Sequence, residues 1–207
     1  MSIENIHVKQ VYNKIANEFD NTRYRPWSCV ENFLDNIPKN SKIGDIGCGN
    51  GKNMLYRSDC INLGCDFSQN LVNICQKKSL NVIYGNILSI PFDDESFDYT
   101  LCIAVLHHLS SKEMRKKSIE ELLRITKSNG KILILVWAFE QEKDSKRKFI
   151  NQGNLIDWKD KKGNVLGKRY YYVFKKNELE SLIPDNVSIE KSFYEKSNWG
   201  VILKKRG

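Results

Sequence analysis

Proline and histidine are scarce in this 207-residue chain, with four and three respectively. No apolar run is long enough to span a bilayer, so no membrane segment is expected. The opening "MSIENIHVKQ" lacks the basic start and apolar stretch of a secretory leader. These absences predict a soluble, intracellular protein of the cytoplasm. The six cysteines are Cys29, Cys48, Cys60, Cys65, Cys75 and Cys102, and none forms a Cys-x-x-Cys pair. The pair His107–His108 has no cysteine close by in sequence, so no metal site is expected. Several cysteines sit in apolar runs, as Cys102 does in "YTLCIAV". That placement fits buried free thiols in a reducing compartment better than disulfides. Internal repeats and low-complexity tracts are also missing.

The formal net charge is +8, and it is unevenly placed. Residues 1–140 hold 17 basic and 16 acidic side chains, whereas residues 141–207 hold 16 and 9. A solvated lysine-rich surface is the ordinary explanation. Segregation of this kind also fits a polyanionic partner.

The length suits one domain. Apolar residues at Val8, Val11, Tyr12, Ile15, Ala16 and Phe19 predict a helix, "NTRYRPW" breaks it at Pro26, and "PWSCVENFLDNI" resumes the period. Residues 1–40 thus read as a helical cap. From residue 41 strand and helix alternate: "KIGDIG", "GKNMLYR", "INLGCD", "SQNLVNICQKK" with Ser68 as N-cap, then "NVIYGN". "FDYTLCIAVL", "SKEMRKKSIEELLRIT" and "KILILVWA" continue it, with Gly130 expected at positive φ after the helix. Such alternation means a largely parallel sheet with helices on both faces. Residues 41–138 are the expected cofactor-binding core. Residues 139–174 read as a basic insertion, an irregular flap over 139–169 followed by "RYYYVF". Residues 175–207 read as a helix at "KKNELESLI" and an antiparallel hairpin from "NVSIEKSFYE" and "NWGVILKK".

"GDIGCGNGK" supplies the chemistry. Gly47, Gly49 and Gly51 follow Asp45 where the first strand of the alternating pattern ends. A glycine-rich strand-to-helix turn lets backbone approach a ligand closely, although a tight turn alone would look the same. Asp66 ends the next strand, 19 residues after Gly47, where a carboxylate can accept from both hydroxyls of a ribose. The spacing is neither the Gly-x-Gly-x-x-Gly of dinucleotide enzymes nor a P-loop, since Asn53 follows Lys52. Asp45 beside the loop disfavours phosphates and suits a cationic ligand. The whole resembles the class I S-adenosylmethionine-dependent methyltransferases, whose loop runs acidic-x-Gly-x-Gly-x-Gly. That resemblance implies a Rossmann-like α/β fold with a seven-stranded sheet and S-adenosylmethionine as cofactor. It places Asp45, Gly47, Gly49, Gly51, Asp66, Phe67, Ser68, Asn86, Ile87 and Ala104 around the cofactor. Asn86 stands where the family usually has Asp.

"HVKQVYNKIANEFDNTRYRPW", "IAVLHHLS", "VWAFEQE", "RYYYVFKKNEL" and "NWGVIL" together resemble the tRNA wobble-uridine methyltransferases. These convert 5-carboxymethyluridine in the anticodon loop to its methyl ester. The resemblance spans nearly the whole chain and departs at Tyr172, where the family has His, and at Gly200, where it has a larger aromatic. It implies a tRNA anticodon stem-loop as substrate and a small zinc-binding activator subunit, shared among methyltransferases, against an edge near "NVIYGNILSI". A carboxylate nucleophile has a pKa of about 4 and needs no general base, so catalysis is mainly alignment. One or two cationic or amide donors must hold it. Arg23, Arg25 and Arg169 are the candidates, and Arg25 is preferred because it lies in "TRYRPW". His107 is a candidate substrate contact, with a structural histidine as the ordinary alternative. Trp137 can stack a splayed pyrimidine or pack in the core. Glu140 or Gln141 can read the uracil edge. Lys146, Arg147, Lys148, Lys161, Lys162, Lys168 and Arg169 are candidates for the stem phosphates. Two other readings remain open: a small-molecule methyltransferase, and a non-catalytic tRNA-binding scaffold.

Overall fold

The computed structural model describes residues 1–206. A π-helical turn, Asn5–Lys9, leads into α1, Gln10–Asp20, which buries Val11, Ile15 and Ala16. Helix α2, Ser28–Asp35, follows Pro26 and buries Val30, Phe33 and Leu34. Then come β1 (Lys42–Ile46), α3 (Lys52–Tyr56), β2 (Ile61–Asp66), α4 (Gln69–Lys77) and β3 (Val82–Tyr84). Strand β4 (Phe97–Ile103), helix α5 (Lys112–Ile125) and strand β5 (Thr126–Trp137) complete the alternating part. Two hairpins end the chain: β6 (Gly153–Lys159) with β7 (Val165–Tyr172), and β8 (Val187–Glu195) with β9 (Asn198–Lys205).

Seven strands form one sheet in the order β3-β2-β1-β4-β5-β9-β8. The pairings from β3 to β5 are parallel; β9 runs antiparallel to β5 and to β8. Strand order reverses between β1 and β4, and in open α/β sheets ligands bind beyond the strand ends at such a point. Side chains of β5 alternate between two cores. Ile132, Ile134 and Val136 pack with Ile119, Leu122 and Ile125 of α5, whereas Leu133 and Leu135 pack with Val30, Phe33 and Leu34 of α2. A strand covered on both faces is therefore apolar throughout, as "KILILVW" is. All six cysteines are free, and Cys48, Cys65, Cys75 and Cys102 are buried. Among the described residues no helix is long and apolar enough to cross a membrane.

Three expectations need correction. The segment read as a flap is irregular only over residues 139–152; residues 153–172 pair as the separate two-stranded sheet β6–β7. The helix expected at "KKNELESLI" shrinks to one 3-10 turn, Glu180–Leu182, because Asn177 adopts φ 63° and Pro184 follows. The left-handed residue after α5 is Asn129, φ 63°, not Gly130. Gly130 is instead required for space, since a Cβ there would lie 2.8 Å from the carbonyl oxygens of Asp98 and Lys127.

Ser68 does cap α4, its hydroxyl accepting from Leu71 N–H at 3.3 Å. It also donates to Asn13 Oδ1 at 2.8 Å, which ties α4 to α1. Gly200, opposite Phe193 on β8 and Leu135 on β5, is explained by packing. A Cβ there would meet Phe193 Cζ at 2.4 Å and Leu135 Cδ2 at 2.5 Å. The Phe193 ring fills the space a larger residue would use. Gly200→Ala should cost about 1–3 kcal/mol by overpacking, read by urea unfolding, and Phe193→Leu added to it should recover part of the loss. An unchanged midpoint for Gly200→Ala would contradict this packing.

Candidate active site

A cavity of about 280 Å³ opens at the reversal point of the sheet. Its floor is the loop after β1. Gly47, Gly49 and Gly51 have φ of 74°, 59° and 77°, conformations that favour glycine. Space enforces the choice as well: a Cβ would lie 2.4 Å from Val105 Cγ2 at Gly47 and 2.3 Å from Leu80 Cδ1 at Gly51. The N–H groups of Gly47 and Cys48 both donate to Cys65 O, at 2.8 and 3.1 Å. Asp66 clamps the same loop, Oδ2 accepting from Gly49 N–H and Oδ1 from Ser68 N–H, both at 2.8 Å. Burial raises the Asp66 pKa, and these backbone donors oppose the shift. Ala104, at the end of β4, adopts φ 62°, an uncommon conformation for a residue with a Cβ, and lines the cavity.

Asp45 lies under the loop rather than on the cavity wall, and is 1% exposed. Its Oδ2 accepts from Asn53 Nδ2 at 3.3 Å, while its Oδ1 and Asn53 Oδ1 have no partner among the described residues. Burial pushes its pKa up to about 7, against the opposing effects of Asn53 and Lys52. Asn53 and Lys52 do line the cavity. Two orphaned acceptors beside a glycine cradle are what a cationic ligand requires.

The roof comes from the N-terminal helix and the β6–β7 hairpin. Gly167 of β7 packs so closely on α1 that a Cβ would meet Val11 Cγ1 at 2.7 Å. His108 fastens the roof. Its Nδ1 donates to Tyr170 O at 2.7 Å, and its Nε2 accepts from the Tyr12 hydroxyl at 3.0 Å. Burial lowers its pKa to about 3, so it is neutral. His107, 1% exposed, is also neutral: burial, then His108 and Arg169, hold its pKa well below the ordinary value. Its Nδ1 accepts from Trp137 N–H at 3.0 Å, so the ring proton sits on Nε2. Trp137 stacks on Tyr171 with centroids 4.1 Å apart and planes 15° from parallel. Arg147 stands 4.4 Å from the Trp137 ring. Arg169, 6% exposed, sits among Trp158 at 4.7 Å, Tyr171 at 5.0 Å and Tyr12 at 5.9 Å.

Of the residues expected at the site, the cavity wall holds Gly47, Gly49, Asp66, Phe67, Asn86, Ile87, Ala104, His107, Trp137, Arg23, Arg147 and Arg169. Gly51 shapes the loop, and Ser68 caps α4, behind the wall. Arg25 is out of place for substrate: its side chain is 76% exposed and pairs with Glu31 at 3.0 Å. The uracil-edge readers are spent elsewhere. Glu140 accepts from Trp199 Nε1 at 3.0 Å and Lys176 N–H at 3.1 Å. Gln141 donates to Ala138 O at 2.7 Å and accepts from Ser145 Oγ at 3.0 Å. Lys146, Lys148, Lys161, Lys162 and Lys168 are exposed and off the wall. Asn86 Oδ1 accepts from Leu88 N–H at 3.0 Å. Tyr172 points away from the cavity, its hydroxyl on Glu178 Oε1 at 2.5 Å. The sequence reading missed Tyr12, Phe19, Tyr171, Lys52 and Asn53. Tyr12 and Phe19 enter the sequence analysis only as part of the spacing that predicts a helix; their seven-residue spacing on α1 is the signal that places them on one side.

The family model "Methyltransferase domain" matches residues 44–134. A Schizosaccharomyces pombe tRNA (carboxymethyluridine(34)-5-O)-methyltransferase is 38% identical over 98% of this chain and 97% of its own length. The alkbh8 protein of Xenopus tropicalis, of the same designation, is 32% identical over 99% of this chain, which spans only 41% of that protein. Among solved structures, a Methanosarcina mazei S-adenosylmethionine-dependent methyltransferase shares the fold, with TM-score 0.68, 18% identity, and coverage of 88% of this chain and 99% of that one. A putative methyltransferase from the complex with the Haloferax volcanii Trm112 methyltransferase activator also shares it, with TM-score 0.68, 13% identity, and coverage of 97% and 99%. The glycine cradle, its acidic clamp and the switch-point cavity are those of a class I methyltransferase that uses S-adenosylmethionine. Within that class the chain belongs to the tRNA (carboxymethyluridine(34)-5-O)-methyltransferase family.

The buried Asp45 carries a pH signature. Its folded pKa is about 7 against an ordinary value of 3.8. Between those values the unfolded chain releases a proton that the folded chain keeps, so ligand-free stability falls as pH rises through this window and then levels off. Asp45→Asn should therefore raise the Tm of the ligand-free protein at pH 8. The same substitution should weaken cofactor binding about ten-fold or more by removing a charged partner, measured by calorimetry. A lower Tm with unchanged affinity would contradict this placement of the charge.

Proposed function

We propose that this chain transfers a methyl group from S-adenosylmethionine to the carboxylate of 5-carboxymethyluridine at the tRNA wobble position, giving the methyl ester. The observation that supports this most is the near end-to-end match to the fission-yeast relative, 38% identical over 98% of this chain. In this reading Asp66 accepts from the ribose hydroxyls with lone pairs that its two backbone donors leave free. Phe67 and Ile87 flank the adenine, and Asn86 keeps one lone pair for the adenine amine. Asp45 and Asn53 supply the negative field for the ammonium group. When bound, S-adenosylmethionine supplies an electrophilic methyl group on a sulfonium.

The remaining work of the chain is alignment. A carboxylate of pKa about 4 is ionised at neutral pH, so no proton needs removal. Neither histidine is built as a base: His107 has committed its lone pair to Trp137 N–H and His108 its own to Tyr12. His107 Nε2–H remains as a neutral donor. The Trp137–Tyr171 pair is a rigid aromatic wall for a base splayed out of the anticodon loop. Exposed Lys146, Arg147, Lys148, Lys161, Lys162 and Lys168 reach stem phosphates from the irregular segment and the β6–β7 hairpin. Strand β3 is an outer strand with Ile83 and Tyr84 43% and 41% exposed, and this edge is our choice for a zinc-binding activator subunit in a cytoplasmic heterodimer.

The test is mass spectrometry of nucleosides from tRNA that lacks the wobble methyl ester. The RNA is incubated with this protein and S-adenosylmethionine, with and without a zinc-binding activator. The methyl ester should appear as 5-carboxymethyluridine declines; bound cofactor with no ester under either condition would favour a small-molecule substrate. With cofactor saturating, the rate should show no inflection near pH 6.5, because both histidines stay neutral. A histidine-like inflection that vanishes in His107→Gln would assign His107 a proton-transfer role instead.

A further inference from the structure

We infer that Arg169 is the seat for the substrate's carboxylate arm and sets the enzyme's preference for an acid over its neutral amide. The inference rests on the methyl-transfer reading above.

A buried charge is normally paired, because desolvation is costly and a nearby opposite charge offsets it. Arg169 breaks that rule. Its side chain is 6% exposed, its Nε has no hydrogen-bond partner, and no carboxylate reaches it among the described residues. Its one hydrogen bond is a long contact of 3.5 Å from Nη1 to the Tyr12 hydroxyl. That oxygen already donates to His108 Nε2. The cage of Trp158, Tyr171 and Tyr12 offers ring faces, which recover part of the cost but bring no negative charge.

Other buried arginines are placed differently. Arg57 binds Asp59 and the carbonyls of Leu34 and Ile37. Arg115 lacks an acid partner too and its Nε is likewise unpartnered, but it donates to Leu109 O at 2.8 Å, rests 3.6 Å from the Tyr172 ring, and does not line this cavity. Arg169 alone of the three lines the cavity. The cavity's own acids are engaged: Glu4 Oε1 accepts from Ser110 N–H at 3.0 Å and from its hydroxyl at 2.6 Å, and Asp66 holds the glycine loop. Unmatched guanidinium donors on a cavity wall require an anion from the ligand.

A second cation could be the seat only if it were as dry. Arg23 bonds the carbonyl and hydroxyl of Thr22 at 3.0 Å each, and Arg147 is exposed. An ion pair in water is worth little, whereas a buried one discriminates strongly. The anion is either a carboxylate on the base or a backbone phosphate. We assign the carboxylate, because Arg169 lies on the wall that carries His107, Trp137 and Tyr171, not among the exposed lysines.

The experiment compares three anticodon stem-loop RNAs that differ only at the wobble base: 5-carboxymethyluridine, its carbamoylmethyl amide, and uridine. Each is titrated into the full protein, with its activator if one is required and with S-adenosylhomocysteine present. The wild type should bind the acid RNA about 10- to 100-fold more tightly than the amide RNA, the range for hydrogen bonds to a charged group. Arg169→Gln should bring the two within about two-fold, and Arg169→Lys should keep part of the preference. Thermal unfolding should show that Arg169→Gln still folds cooperatively, so that a lost preference is not a lost fold. Equal weakening for all three RNAs would mean a phosphate contact and overturn the inference. So would a wild type that does not distinguish acid from amide, a measurement that needs no variant to fold. A wild type that forms the methyl ester yet shows no preference sinks only the inference; a strong preference with no ester sinks the methyl-transfer reading.

Discussion

The Asp66 carboxylate holds the architecture of the site together. One oxygen takes the N–H of Gly49 and the other that of Ser68, both at 2.8 Å. Those two bonds fix the left-handed glycine loop after β1 to the start of α4. The loop positions Asn50, whose Nδ2 donates to Asp20 Oδ1 and Arg23 O at 2.8 Å each, and so ties down the end of α1. Helix α1 then carries Tyr12 and Phe19 over the cavity. A carboxylate that clamps backbone from below still has lone pairs to offer above, so one residue can organise the floor and bind ligand. Burial raises its pKa, and the backbone donors oppose that rise by favouring the charged form.

The roof is held by contacts of another kind. The β6–β7 hairpin meets α1 through Gly167 on Val11 and through Trp158, which lies 6.1 Å from Phe19. His108 connects α1, through Tyr12, to the backbone of β7 at Tyr170. Its neutral tautomer is forced, because one ring nitrogen must donate to a carbonyl and the other must accept from a phenol. His107, its neighbour, is turned to the cavity with a single free N–H. Adjacent histidines thus differ in placement: one fastens the roof, the other keeps a donor toward the cavity.

The cofactor half was legible in the sequence because its signals are local. Three glycines at alternate positions and an acid at the end of the next strand can be read without knowing the packing. Ser68 as an N-cap was legible for the same reason. The roof was not. In β6 the exposures alternate between intermediate and open, so "GNLIDWK" never shows the apolar face that marks a buried strand. "KKNELESLI" has helical composition, but Asn177 takes a left-handed turn and Pro184 ends the run. Arg25 and Arg169 differ in burial, which sequence position does not report. Arg25 lies beside Pro26 at the start of α2 and reaches Glu31 on the surface; Arg169 is carried under the roof by a hairpin whose pairing was not foreseen.

Taken alone, the folded chain holds two buried ionisable groups of opposite type, each with an unpartnered polar atom, near one cavity. Asp45, whose pKa burial pushes up to about 7, lacks a partner for Oδ1 beneath the glycine loop; Arg169 lacks one for Nε under the roof. They would stabilise each other if the fold let them meet, yet no ion pair joins them among the described residues. The fold keeps them on separate elements, β1 and β7, each only partly compensated for its desolvation. In the proposed methyl transfer the cationic donor and the anionic acceptor would each find a counter-charge on its own side of the cavity. In the proposed reading, the same residues that make the empty site unfavourable are the ones that select its two ligands.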